Sequence, residues 1–119
     1  MKYPLAYSTW GKEEVEAIKS VIDTDMYTMG KHVKQFEKEF AEMFGSPHAI
    51  MVNSGSSANL LMLSLLKWKY KLSGDIIVPV VGWATTYFPI SQNGFRLNFV
   101  DVDPNTWNID VSKIEAAIT

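Results

Sequence analysis

Cysteine is missing from the 119 residues of this chain. Its absence excludes a disulfide framework and a thiolate metal site, and it fits a cytoplasmic protein. Positive charge is in short supply too: 11 Lys and Arg stand against 13 Asp and Glu, for a net charge of −2. The basic residues are nearly all lysines scattered along amphipathic stretches, so there is no basic face of the kind that marks a nucleic-acid binder. No apolar run approaches the ~20 residues needed to span a bilayer, and Met1-Lys2-Tyr3-Pro4 lacks the apolar run of a signal peptide. Internal repeats, low-complexity runs and linkers are absent as well. The glycines form neither of two common phosphate loops: no Gly-Lys-Ser/Thr closes a Walker A loop, and no G-x-G-x-x-G occurs. The expectation is a cytoplasmic chain with no membrane span and no nucleic-acid partner. At 47% apolar it can bury one modest core, and one domain is expected.

What is present is a strand, a small polar turn and a helix in immediate succession, Ala49-Ile50-Met51-Val52-Asn53-Ser54-Gly55-Ser56-Ser57-Ala58-Asn59-Leu60-Leu61. The first N–H groups of such a helix have no carbonyl partners and lie at the positive end of its dipole, a ready site for phosphate or carboxylate. Gly55 allows close approach of a ligand to the backbone. The hydroxyls of Ser56 and Ser57 add donors or cap the helix. The plainer alternative is a serine-capped helix after a buried strand, with no ligand.

Around this turn the apolar spacing predicts helices over 12–23 and 31–44, the first capped by Ser8 or Thr9, the second stopped by Gly45 and Pro47. Strand–helix units follow from 48 onward: a strand to Val52, a helix over 57–70, a strand over 76–80, a short helix within 83–91, a strand over 97–102 and a helix over 111–118 capped by Asp110. Strands at that spacing with helical crossovers imply an α/β fold with a mostly parallel sheet flanked by helices. Ligands then sit beyond the carboxyl ends of the strands, where the turns 53–57, 81–85 and 101–105 share one edge. Three strands make a narrow sheet, and the final helix has nothing to cover its apolar face. The chain therefore reads as the amino-terminal part of something longer.

On the same ligand edge, Trp83 offers a flat apolar face, with the hydroxyls of Thr85 and Thr86 beside it; the alternative is that Trp83 merely covers a helix end. A flat ring bearing a phosphate suits both turns, and pyridoxal phosphate has that form. His48 and Arg96 open strands at the opposite edge, and His32 is expected to face solvent. Asp101 and Asp103 resemble a metal pair, but Asp103-Pro104-Asn105 is an ordinary turn signal. Lys67, Lys69 and Lys71 end a helix, where cations favour the dipole.

Four segments resemble, in order and at matching spacing, the DegT/StrS-type family of vitamin B6 enzymes that modify nucleotide-linked deoxysugars: Tyr27-Thr28-Met29-Gly30, Phe36-Glu37-x-Glu39-Phe40-Ala41, Asn53 through Leu60, and Phe99-Val100-Asp101-Val102. The run Trp83-x-Thr85-Thr86-Tyr87-x-Pro89-x-x-Gln92-x-Gly94-x-Arg96 is most similar to one branch, the GDP-4-keto-6-deoxymannose 3-dehydratases; the neighbouring branches are sugar aminotransferases. The resemblance implies the amino-terminal part of a fold-type-I, aspartate-aminotransferase-like large domain, with pyridoxal or pyridoxamine 5′-phosphate as cofactor. It implies that Gly55 and Ser56, with Ser57 beside them, hold the cofactor phosphate, and that Trp83 stacks on the cofactor ring. It implies that Asp25, Met26, Tyr27 and Thr28 form a loop reaching a nucleotide-linked keto-deoxysugar across a homodimer interface, although the family keeps a basic residue where this chain has Asp25. Glutamate is the implied amino donor.

By the same resemblance no catalytic residue lies in this chain. The aspartate that pairs with the pyridine nitrogen and the proton-transfer residue are expected beyond Thr119. That last residue is a lysine in the aminotransferases and a histidine in the 3-dehydratases. Two readings from other classes remain: a non-catalytic α/β module that binds a phosphorylated ligand, and a truncated product that aggregates through an uncovered sheet edge.

Overall fold

A computed structural model describes residues 3–4 and 6–119. The chain divides into two compact units, Met1–Met51 and Val52–Thr119.

The first unit holds two helices, α1 (Lys12–Ile22) and α2 (Lys31–Met43). Gly11, rather than Ser8 or Thr9, is the N-cap of α1, and its N–H donates to the Glu14 carboxylate one turn ahead at 2.7 Å. That bond holds the Glu14 carboxyl below the usual carboxylate range. Asp25, in the left-handed conformation at φ 53°, ends the turn after α1 with its N–H on the Ile22 carbonyl at 3.0 Å; Asp is among the few non-glycine residues that accept this geometry. Gly45 does stop α2: at φ 61° it donates to the Glu42 carbonyl, and the Ser46 N–H reaches back to Ala41. Along α2 the rings of Phe36, Phe40 and Phe44 stack at the i, i+4 spacing, with centroids 5.5 and 4.6 Å apart.

The expected first strand is not formed. Residues 49–52 have no paired neighbour among the described residues, and the Met51 N–H is satisfied by the Glu37 side chain at 2.9 Å instead. A strand exists only by pairing, so an apolar run without a partner stays irregular.

The second unit begins with α3 (Gly55–Tyr70) and continues through β1 (Asp75–Pro79), α4 (Ala84–Gln92) and β2 (Arg96–Val100). The two strands are parallel and pair Asp75 with Arg96 through Pro79 with Val100, joined by the helical crossover that parallel strands require. Arg96 N–H donates to the Gly74 carbonyl and Val80 N–H to the Val100 carbonyl. The even-numbered residues of β1 therefore bond to β2, and Asp75, Ile77 and Pro79 present their backbone groups to the other edge. Val78, Ile90 and Phe95 form the buried core, with Leu63, Ile76, Tyr87 and Leu97 packed against it. The expected helix over 111–118 is two short 3₁₀ turns, Val111–Lys113 and Glu115–Ala117; Asp110 caps the first as expected, accepting the Ser112 N–H at 3.1 Å.

Candidate functional site

The serine turn is built by local hydrogen bonding. Ser54 is the N-cap of α3: its Oγ accepts the Ser57 N–H at 3.2 Å, and its carbonyl accepts the Ala58 N–H at 3.1 Å. The Ser57 hydroxyl donates to Asn53 Oδ1 at 2.7 Å and receives the Ser54 hydroxyl at 3.2 Å. Both donors of Ser57 are thus engaged within the turn. The N–H groups of Gly55 and Ser56, first and second in the helix, have no acceptor among the described residues, and the Ser56 hydroxyl joins no hydrogen bond there. The first turn of α3 holds no acidic residue, which leaves the positive end of the dipole uncompensated. Of the three residues expected to hold a phosphate, Gly55 and Ser56 have open donors, while Ser57 shapes the turn. Ser54 and Asn53, rather than Ser56 or Ser57, accept the capping bonds of this turn.

The serine turn and the start of α4 meet. The turns after β1 and β2 leave the sheet at the same end, as in any parallel pair. Asn59 on α3 reaches the Thr85 carbonyl on α4 at a long 3.5 Å. Ser56, Ser57 and Thr85 line one hollow of about 210 Å³, floored by Leu60, Phe88 and Pro89. Trp83, the N-cap residue of α4, is 75% exposed.

In the first unit, Met26, Tyr27 and Thr28 line a groove of about 740 Å³ with Ile18, Ile22 and Val33 of the helices, and with the polar side chains of Thr24, Lys31 and His32. Asp25 is not among its lining residues. The Tyr27 hydroxyl donates to the Ile22 carbonyl at 3.3 Å, tying the loop back to the end of α1. His32 stands at the edge of this groove and is exposed.

The remaining polar candidates have structural partners. Arg96 Nε lies 2.6 Å from Asp75 Oδ1, a cross-strand ion pair at the opening of the sheet, away from the turns. Asp103 Oδ1 accepts the Asn105 N–H at 2.7 Å, the turn expected from the sequence. Asp101 accepts the Val102 N–H at 2.9 Å and faces Lys113 Nζ at 3.4 Å. Lys113 also lies 3.3 Å from Asp110. These contacts hold both Asp101 and Asp110 below the usual carboxylate range: for Asp101 the Val102 N–H leads, for Asp110 the Ser112 hydroxyl. Lys67 lies over the Phe95 ring at 5.5 Å. Among the described residues no three His, Asp or Glu side chains come together as a metal site, and no helix is long and apolar enough to cross a membrane.

Against known proteins, the chain is 52% identical over its whole length to the GDP-4-keto-6-deoxy-D-mannose 3-dehydratase of Yersinia pseudotuberculosis, of which it spans 31%. Its fold matches the Escherichia coli GDP-4-keto-6-deoxy-D-mannose-3-dehydratase solved with bound hydrated PLP, with a TM-score of 0.89 and 53% identity over 98% of this chain and 31% of that one. A sugar aminotransferase from Micromonospora echinospora matches over 98% of this chain and 31% of its own, at 28% identity and a TM-score of 0.81. The chain thus spans about a third of the length of these relatives. The model of the DegT/DnrJ/EryC1/StrS aminotransferase family matches residues 8–119, and the chain belongs to that family.

Proposed function

We propose that these residues are the cofactor-phosphate end of a PLP- or PMP-dependent enzyme of nucleotide-sugar metabolism, and that the enzyme removes the C3 hydroxyl of a GDP-linked 4-keto-6-deoxyhexose. The observation that carries this reading is the serine turn. Two open N–H groups and an open hydroxyl, on Gly55 and Ser56, stand at an uncompensated helix start, in a chain about half identical to 3-dehydratases.

The residues present fit the group. A phosphate needs several donors converging without a competing carboxylate, and the first turn of α3 supplies them. Trp83 stands free after β1 to cover one face of an aromatic ring. When bound, the cofactor would supply an amine that condenses with a sugar ketone and a conjugated ring that takes up the electron pair left by proton removal and returns it as the hydroxyl leaves. In this reading Ser57, Ser54 and Asn53 shape the turn, Gly55 and Ser56 hold the phosphate, and Trp83 orients the ring. Met26, Tyr27 and Thr28 give the nucleotide sugar an apolar wall. The proton-transfer group and the partner of the ring nitrogen belong to the part of the enzyme outside these residues. Glutamate serves as amino donor, two copies assemble as a homodimer, and the enzyme works in the cytoplasm.

An amino-group transfer to the same keto sugar is the second reading, favoured by the fold match to a sugar aminotransferase. One experiment separates the two. The full-length protein is supplied with a GDP-linked 4-keto-6-deoxyhexose, the cofactor and glutamate, and the product is weighed by mass spectrometry. Loss of the C3 oxygen supports the 3-dehydratase; a retained oxygen with an added amino group supports the aminotransferase. Neither product would overturn both.

A further inference from the structure

Between β1 and α4 the chain makes a tight turn, and one side chain closes it. The Tyr87 hydroxyl donates to the Pro79 carbonyl at 2.6 Å. Pro79 is the last residue of β1, its backbone faces the edge away from β2, and among the described residues no strand pairs with that edge. Between the two ends of that bond, Gly82 passes so close that a Cβ would collide with the Tyr87 hydroxyl and lie 2.8 Å from its Cζ. Tyr87 itself is held from behind: its ring meets Phe99 edge-on at 5.5 Å and packs against the Val78, Ile90 and Phe95 core.

Trp83 is the residue this closure serves. It is 75% exposed, so packing does little to place it, and its position follows from the backbone of the turn. Beside the long contact from Asn59 to the Thr85 carbonyl, three hydrogen bonds tie that backbone. Val80 N–H bonds to Val100 at 2.8 Å, Thr86 N–H bonds to the Trp83 carbonyl at 2.9 Å, and Tyr87 binds Pro79. The first fixes the exit from the strand and the second fixes the helix start. Only the third spans from one to the other across Trp83.

We infer that Tyr87 is a positioning residue for Trp83, holding the turn so that the indole face is presented in one place to the cofactor ring; this rests on the proposed stacking role of Trp83. Tyr87 touches neither substrate nor cofactor in this assignment. Its hydroxyl acts only through the turn.

The test is a double-mutant cycle on the full-length protein, read as the dissociation constant of the cofactor and its visible circular dichroism. Tyr87→Phe keeps the ring in the core and removes the hydroxyl. With Trp83 intact it should weaken cofactor binding about two- to tenfold, the range of one net hydrogen bond, and reduce the induced dichroism. In a Trp83→Ala background it should have no further effect on either readout. Gly82→Ala, which pushes the hydroxyl off the carbonyl without deleting it, should reproduce the loss in the same background-dependent way. If Tyr87→Phe weakens binding equally in both backgrounds, or not at all with Trp83 intact while Trp83→Ala does weaken it, the positioning role is wrong. If Trp83→Ala alone leaves binding unchanged, the stacking reading fails first and the role of Tyr87 falls with it.

Discussion

Ser56 and Ser57 are adjacent, carry the same hydroxyl and open the same helix, yet their surroundings separate them. Ser57 has spent both its donors on Ser54 and Asn53, while Ser56 keeps its N–H and hydroxyl open. Ser56→Asp should therefore abolish cofactor retention in the full-length protein, because a carboxylate would take the place of the phosphate. Ser56→Ala should do much less, since backbone N–H groups carry most of the anion binding at a helix start. An aspartate variant that purifies with an unchanged cofactor spectrum would sink the phosphate assignment. At Trp83, alanine should cost on the order of 1–3 kcal/mol of cofactor binding through the lost aromatic face, and phenylalanine should keep much of it. Equal binding by the two variants, measured by fluorescence titration, would remove the stacking role. The sequence showed these residue types in the right order. It did not show which serine was free, because the acceptors that engage Ser57 are chosen by the backbone angles of the turn.

The helices were legible because their signals are local. Apolar spacing marked α1, α2 and α3 to within two residues at each end, and Gly45, Asp110 and the Asp103 turn behave as their residue types dictate. The caps were less legible, since Ser8, Thr9, Ser56 and Ser57 were all eligible, while Gly11 and Ser54 took the positions. Ser54→Ala should accordingly destabilise the full-length protein by about 1 kcal/mol in urea unfolding, and Ser54→Gly by only a few tenths. Equal losses for the two would show that the side-chain cap contributes little. The 3₁₀ segment after β2 adds a pH signature. Asp101 and Asp110 are both held below the usual carboxylate range in the folded chain, so they bind protons more readily when unfolded. Their contribution is present above the unfolded carboxylate pKa, at neutral pH, and is lost as pH falls through the depressed folded values. Both carboxylates and Lys113 are solvent-screened, so the effect should be small. In the full-length protein, Lys113→Met should flatten part of the acid limb of stability against pH between roughly 2 and 5; an acid limb identical to that of the parent would show the cluster to be inert.

At the scale of the whole molecule the prominent fact is apolar surface. Among the described residues the buried hydrophobic ones are Ala41, Val78, Ile90, Phe95 and Val100, while Phe36, Phe40, Phe44, Leu61, Leu65 and Trp68 are exposed. A core of that size cannot offset the entropy of ordering the chain. The 119 residues alone should show no sharp thermal transition in calorimetry, and titration with pyridoxal phosphate should show weak binding at most, because a loosely held site binds weakly. Micromolar binding, lost in Ser56→Asp, would show the opposite. In the full-length protein, borohydride should fail to fix the cofactor to the chain if a histidine replaces the Schiff-base lysine; a lysine adduct would favour the aminotransferase reading. The sequence by itself determined the helices, the turns, the helical crossover between parallel strands and the family, because each depends on residues a few positions apart or on short motifs in order. Only the tertiary structure decided that residues 49–52 find no strand partner among the described residues, that Asp75 meets Arg96, that Asn59 brings the serine turn to Thr85, and that Tyr87 closes on Pro79. Each of those depends on a backbone or side-chain partner elsewhere in the chain, and no local pattern specifies which partner will arrive.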